Sequence, residues 1–203
     1  MGDLFCLDAA SGRVIWAKNL PRDYSASVPI WGYAGHSLIY KNLLICMAGG
    51  EGSAVVALDK TTGKEVWKSL TASQLGYSPP TLIQAGGTTQ LLIFHGTALN
   101  SLNPDNGQLH WSEPIGTAYG MSIMSPRRWE DYLFVGGHSN NQSLRGQLAV
   151  AILGRAQHLD LSVITRDHVL GAGIKCHLHH LVLAGAGRVQ ELAAVLEEER
   201  DRA

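Results

Sequence analysis

Cys176-His177-Leu178-His179-His180 is the densest run of metal-ligating side-chain types in the 203-residue chain. On an extended backbone, His177 and His179 point to one face and Cys176 and His180 to the other, so at most two converge. Zinc takes three or four ligands in a tetrahedral set. His158 or His168 would have to complete one, and nothing in the sequence brings either near. The cluster is therefore read as an accumulation in a compositionally odd segment, and no metal ligand is assigned.

The remaining chemistry-bearing residues also have plainer explanations. His36, His95 and His138 stand beside glycines at expected strand ends, where a turn or channel-mouth side chain is a better account than a catalyst. The hydroxyls gather in turns such as Thr61-Thr62 and Thr88-Thr89, so no nucleophile, base and acid can be argued together. Gly49-Gly50-Glu51-Gly52 and Gly86-Gly87 resemble phosphate loops, but neither leads into a helix, whose N-terminus such a cradle needs. Both are read as hairpin connections. Arg127-Arg128-Trp129 mixes a basic pair with an aromatic, yet Glu130-Asp131 follows at once, and the stretch is read as a solvated loop. Cys6 and Cys46 alternate with apolar neighbours as strand residues do. With Cys176 they make three scattered cysteines, which define no disulfide framework. No catalytic and no cofactor-binding residue is assigned.

Composition narrows the class. Lys plus Arg is 16, Asp plus Glu is 17 and the net charge is -1, so nothing draws the chain to a phosphate backbone and no nucleic-acid partner is expected. No stretch reaches the roughly 18 uncharged apolar residues of a spanning helix. The N-terminus, Met1-Gly2-Asp3-Leu4-Phe5-Cys6-Leu7-Asp8, lacks the basic and apolar regions of a secretion signal. Twenty-three glycines favour a fold with many turns.

The elements that would position any site come from a repeat. Leu7-Asp8-Ala9-Ala10-Ser11-Gly12-Arg13-Val14-Ile15-Trp16 recurs as Leu58-Asp59-Lys60-Thr61-Thr62-Gly63-Lys64-Glu65-Val66-Trp67. It returns as Leu102-Asn103-Pro104-Asp105-Asn106-Gly107-Gln108-Leu109-His110-Trp111, at offsets of 51 and then 44 residues. Asp8, Asp59 and Asn103 each stand four residues before Gly12, Gly63 and Gly107, which stand four before Trp16, Trp67 and Trp111. An apolar run such as Ala54–Leu58 reads as a strand. The Asp or Asn can accept bonds from the turn's own amides, and Gly takes a positive φ without strain. The Trp then sits on the returning strand as a large apolar anchor. Further strand-like runs, Ser37–Tyr40, Leu43–Met47, Thr81–Gln84 and Gln90–Phe94, bring each repeat to about four short strands, the content of a propeller blade. A fainter echo places Tyr33, Tyr77 and Tyr119 beside glycines, 44 and then 42 residues apart.

These Leu-Asp-x-x-Thr/Ser-Gly-x-x-x-Trp repeats resemble the pyrroloquinoline-quinone (PQQ)-like β-propellers. That family holds quinoprotein alcohol dehydrogenases and non-enzymatic outer-membrane assembly factors. The resemblance covers about residues 1–144. It implies a ring in which each motif Trp docks between adjacent blades, making Trp16, Trp67 and Trp111 architectural. The family's enzymes bring acidic and amide ligands for calcium, a catalytic Asp and usually a disulfide between adjacent cysteines. This sequence has no Cys-Cys pair.

The motif does not return where a fourth copy is due: residues 147–154 read Gln147-Leu148-Ala149-Val150-Ala151-Ile152-Leu153-Gly154, with no Asp, turn or Trp. All fourteen aromatics and all seven prolines precede residue 145, while five of nine histidines follow it. The fourth blade is expected to open with strands at Gly120–Met124 and Tyr132–Val135 and to stop there. Residues 145–203 are expected to be a fused segment or the product of an altered reading frame, helical over Gly187–Arg200.

The expected architecture is thus all-β for 1–144, an incomplete PQQ-like propeller of about three to four antiparallel blades, with a non-propeller, partly helical tail at 145–203. The favoured function is a non-catalytic scaffold for an unknown protein partner, without cofactor, presenting Tyr33, His36, Tyr77 and Tyr119 at a channel mouth. Unpaired sheet edges are expected to favour self-association. The alternative is part of a PQQ-dependent dehydrogenase. A periplasmic or cell-envelope location follows from the resemblance alone.

Overall fold

The computed structural model describes residues 1–129, 132–138, 148–153 and 161–164, in two compact units, Met1–Pro126 and Arg127–Ala203. The chain is a partial all-β propeller. Its first unit holds three antiparallel sheets. A two-stranded sheet pairs β1 (Asp3–Leu7) with β2 (Val14–Asn19). A one-turn helix, α1 (Leu20–Tyr24), follows: Asn19 caps it by accepting from the Arg22 amide at 3.0 Å, and Ser25, at φ 51°, ends it.

The next two sheets have four strands each, in simple meander order. One runs β3 (Leu38–Tyr40), β4 (Leu43–Met47), β5 (Val55–Asp59) and β6 (Glu65–Ser69). The other runs β7 (Thr81–Ala85), β8 (Thr88–His95), β9 (Ala98–Leu102) and β10 (Leu109–Pro114). The Gly49–Gly52 and Gly86-Gly87 stretches are the β4–β5 and β7–β8 hairpin connections.

The repeat turns share one construction. In the first, the Asp8 carboxylate accepts the Ser11 amide at 2.8 Å and the Ser11 hydroxyl at 2.6 Å, while the Gly12 amide returns to the Asp8 carbonyl at 2.8 Å. Asp59 accepts the Thr61 and Thr62 amides at 3.0 and 2.7 Å, and Asn103 the Asp105 amide at 2.8 Å. Gly12, Gly63 and Gly107 lie at φ 70°, 70° and 73°, a conformation that charges a side chain about 1–2 kcal/mol.

Within the first unit, consecutive sheets bury apolar positions against each other. Val56 and Leu58 pack with Leu20, and Leu4 and Trp16 lie against them. Ile45, Val55, Ala57 and Trp67 form a second core with Leu91, Ile93 and Leu102. The motif indole locks each seam. Trp16 donates its ring N–H to the Lys60 carbonyl at 3.1 Å, and a Cβ at Gly63 would lie 2.7 Å from the Trp16 ring. Trp67 likewise donates to the Pro104 carbonyl at 3.2 Å, and a Cβ at Gly107 would lie 2.6 Å from its ring. A missing side chain at the turn is thus the seat of the previous repeat's tryptophan. Trp111 is held otherwise, donating to Gln90 Oε1 of its own sheet at 3.0 Å.

The described residues of the second unit form a four-stranded antiparallel sheet: β11 (Arg127–Trp129), β12 (Tyr132–His138), β13 (Leu148–Leu153) and β14 (Leu161–Ile164). Three expectations change here. The expected limit at 144/145 is not the end of a sheet, because β13 and β14 lie beyond it and complete four strands without the motif. Arg127-Arg128-Trp129 is an edge strand rather than a loop, a position where charged residues are tolerated. No strand opens at Gly120–Met124, because Tyr119 and Gly120 take φ 54° and 68° in a 3-10 turn at Ala118–Gly120. The Cys176–His180 cluster, His158, His168 and the expected helix at 187–200 lie outside the described residues.

Candidate functional site

The segments that connect one sheet to the next run side by side at one end of the first unit. Residues 28–37 enter β3, 70–80 enter β7, and 115–126 follow β10. Gly35 lies against the Tyr77 and Ser78 carbonyls, where a Cβ would come within 3.2 Å of the former. The Tyr77 amide donates to the Ser122 carbonyl at 3.0 Å, and the Ser78 hydroxyl to the Met124 carbonyl at 3.0 Å. Gly76 is equally confined, because a Cβ there would run into the Ser122 hydroxyl. The β8–β9 turn joins the same cluster: the Gly96 amide donates to the Gln74 carbonyl at 2.9 Å, and the Thr117 amide and hydroxyl to the Gly96 carbonyl at 2.8 and 2.9 Å.

The four residues expected at a channel mouth do not present one surface. Tyr33 and Tyr77 are turned into the protein. Tyr33 donates its hydroxyl to the Ala48 carbonyl at 2.9 Å, and the buried Tyr77 accepts the Trp31 amide at 3.4 Å. His36 is exposed, its Nδ1 3.2 Å from the Ser37 carbonyl, and Tyr119 is 57% exposed. None lies on the first strand of a sheet; all four sit in the connecting segments before it.

Trp31 is the aromatic that the repeat did not reveal. It is 57% exposed and tilts at 58° over the Tyr77 ring, with centroids 5.5 Å apart. Ile30 and Ile123 are exposed at the same end. The only available signal was that Trp31 falls outside the Asp-x-x-x-Gly-x-x-x-Trp register.

His95 ends β8 and is 4% exposed. Its Nδ1 accepts the Thr97 amide at 3.3 Å and lies 3.1 Å from the Thr97 hydroxyl. Burial pushes its pKa down to about 4, so the ring is neutral at physiological pH. Burial likewise pushes the Cys46 thiol up to about 12, which makes it an inert core residue. Among the described residues no three His, Cys, Asp or Glu side chains come together in a way that could hold a metal ion.

The fold has its counterpart among known proteins. A family model described as outer membrane protein assembly factor BamB matches residues 1–192. The chain belongs to this PQQ-like repeat family. The quinoprotein ethanol dehydrogenase of Pseudomonas aeruginosa is 32% identical over 127 residues, covering 55% of this chain and 20% of the relative. The 1-butanol dehydrogenase (quinone) of Thauera butanivorans is 29% identical over 127 residues with the same coverage. The chain thus spans a fifth of the length of these curated relatives. Both are named as enzymes, which overturns the expectation that the chain is not one. That expectation leaned on the missing Cys-Cys pair, which does not separate a segment of a dehydrogenase from a scaffold.

Proposed function

We propose that this chain forms part of the β-propeller of a quinone-dependent dehydrogenase acting on small primary alcohols at the cell envelope. The observation that carries this reading is the 32% identity over 127 residues to a quinoprotein ethanol dehydrogenase. The location rests on the family alone; no helix among the described residues is long and apolar enough to cross a membrane.

The described residues do not by themselves fit a quinone with an accompanying metal ion, since no three candidate ligands meet. No reaction step is therefore derived through that group. In this reading these blades are wall and floor. Their connecting segments are bonded to one another through Tyr77, Ser78, Thr117 and Ser122, which keeps that end rigid. A site built against a rigid surface keeps its geometry without reorganising during reaction.

The test uses protein purified from its own cells, incubated with PQQ and calcium, desalted, and assayed for dye reduction with ethanol and 1-butanol. Retained quinone absorbance and alcohol-dependent dye reduction are expected. Absence of both would refute the proposal.

A further inference from the structure

We propose that Asn106 is a site of spontaneous covalent modification: its side-chain amide is exchanged for an isoaspartyl link to Gly107, and the change unseats Trp67. Asn106-Gly107 is the sole Asn-Gly pair in the sequence. It lies in the β9–β10 turn, where Gly107 receives the Trp67 ring in the notch left by its missing side chain.

The three repeat turns differ at the position this chemistry needs. Ser11 and Thr62 stand in the place of Asn106, and their hydroxyls accept the Arg13 and Lys64 amides, each at 3.3 Å. In the third turn Asn106 Oδ1 takes that role, accepting the Gln108 amide at 2.9 Å. Of the three, only this turn has a carbonyl carbon where the others have a hydroxyl, next to a backbone nitrogen whose own residue has no Cβ to obstruct it. Asn106 is exposed. Thr62 is exposed too, although its sheet is packed by another on either side. Exposure therefore belongs to this place in the turn and not to the end of the array.

Hydroxide removes the Gly107 amide proton, and the nitrogen attacks the Asn106 side-chain carbonyl carbon within the same chain. The charge that develops on Oδ1 is met by the Gln108 N–H already bonded to it. Collapse expels the side-chain nitrogen as ammonia, with a proton from water, and leaves a five-membered succinimide. Water then adds to either ring carbonyl and opens it to Asp or to isoaspartate, with no oxidant or reductant consumed. The Gly107 N–H donates to the Asn103 carbonyl at 2.9 Å. Attack therefore waits for that bond to open, and the indole packed on Gly107 opposes the opening. In the isoaspartyl form the main chain runs through the former side chain and is longer by one C–C bond, about 1.5 Å. Gly107 is then displaced from the Trp67 ring, and the bond from that ring to the Pro104 carbonyl is lost with it.

This modification does not depend on the dehydrogenase reading, and its experiment reads mass, charge and unfolding rather than activity. Held for days at mildly alkaline pH, the folded full chain should accumulate an acidic species on isoelectric focusing, faster than at mildly acidic pH. Peptide mapping should place the change at Asn106 and separate the isoaspartyl peptide from the Asp peptide by retention. Asn106→Thr, which copies Thr62, should diminish the species, and Trp67→Ala should speed its formation severalfold. The isoaspartyl fraction should unfold at lower urea than the intact protein, whereas Asn106→Asp, which adds the charge without the extra bond, should keep the intact midpoint. An Asn106 that stays intact in the folded protein would overturn the proposal. So would an acidic species undiminished in Asn106→Thr, a rate unchanged in Trp67→Ala, or an isoaspartyl fraction as stable as the intact chain.

Discussion

Gly107 and Gly12 occupy the same place in the same turn, at φ 73° and 70°, but only Gly107 seats a tryptophan. The pair therefore separates backbone strain from the contact that locks the sheets together. In Gly12→Ala the new methyl meets nothing within 4 Å, so the loss should be the left-handed penalty alone, about 1–2 kcal/mol. In Gly107→Ala the same penalty applies, and the methyl also falls 2.6 Å from the Trp67 ring. The ring must move, its bond to the Pro104 carbonyl stretches, and overpacking adds about 1–3 kcal/mol. The expected losses are about 1–2 kcal/mol at Gly12 and about 2–5 kcal/mol at Gly107. Urea unfolding followed by circular dichroism measures both. A cycle with Trp67→Ala adds a check: the Gly107 variant should be strongly non-additive with it and the Gly12 variant additive. Equal losses at the two glycines, or additivity throughout, would refute the account of the glycine as an indole seat.

Other outcomes follow from buried polar groups. His95 has a folded pKa of about 4 against an unfolded value near 6.5, so the unfolded chain binds the extra proton between those values. Stability is therefore full above about pH 6.5 and falls by about 3 kcal/mol toward pH 4; pH-dependent urea midpoints should show this slope, and His95→Gln should flatten it. Gln90 Oε1 accepts both the Ser101 hydroxyl at 2.7 Å and the Trp111 indole, so Gln90→Leu leaves two donors without that acceptor. Thermal unfolding should show a loss of about 2–4 kcal/mol, reduced when Ser101→Ala is added. The Cys46 thiol should escape iodoacetamide at pH 8 in the folded protein and react only after denaturation, as mass mapping of the labelled peptides would show.

What the sequence made legible was whatever is local. The Asp-x-x-x-Gly-x-x-x-Trp spacing builds a turn from its own backbone and side chains, so Asp8, Asp59 and Asn103 could be placed without knowing their neighbours. The strands expected at Leu43–Met47 and Thr81–Gln84 were equally plain from strand-like runs, the second extending to Ala85. Features that depend on distant partners were not. Tyr33 and Tyr77 look interchangeable with Tyr119 in sequence, and only the packing of connecting segments turns two of them in and leaves the third out. Trp31 carries no periodic mark, and its position over Tyr77 depends on a contact 46 residues away. β13 and β14 lack the turn chemistry that identified the earlier repeats, so a merely apolar stretch such as Leu148–Leu153 did not signal a sheet continuing.

The handover of Trp16 and Trp67 to the following turn has a consequence for how such molecules grow. A duplicated segment carries both halves of the joint, the ring on its last strand and the notch in its own turn, so an inserted copy meets its neighbours with surfaces they already recognise. Lengthening or shortening the array in whole units thus calls for no invention at the junctions, which leaves the connecting segments free to diverge toward new chemistry while the frame stays the same.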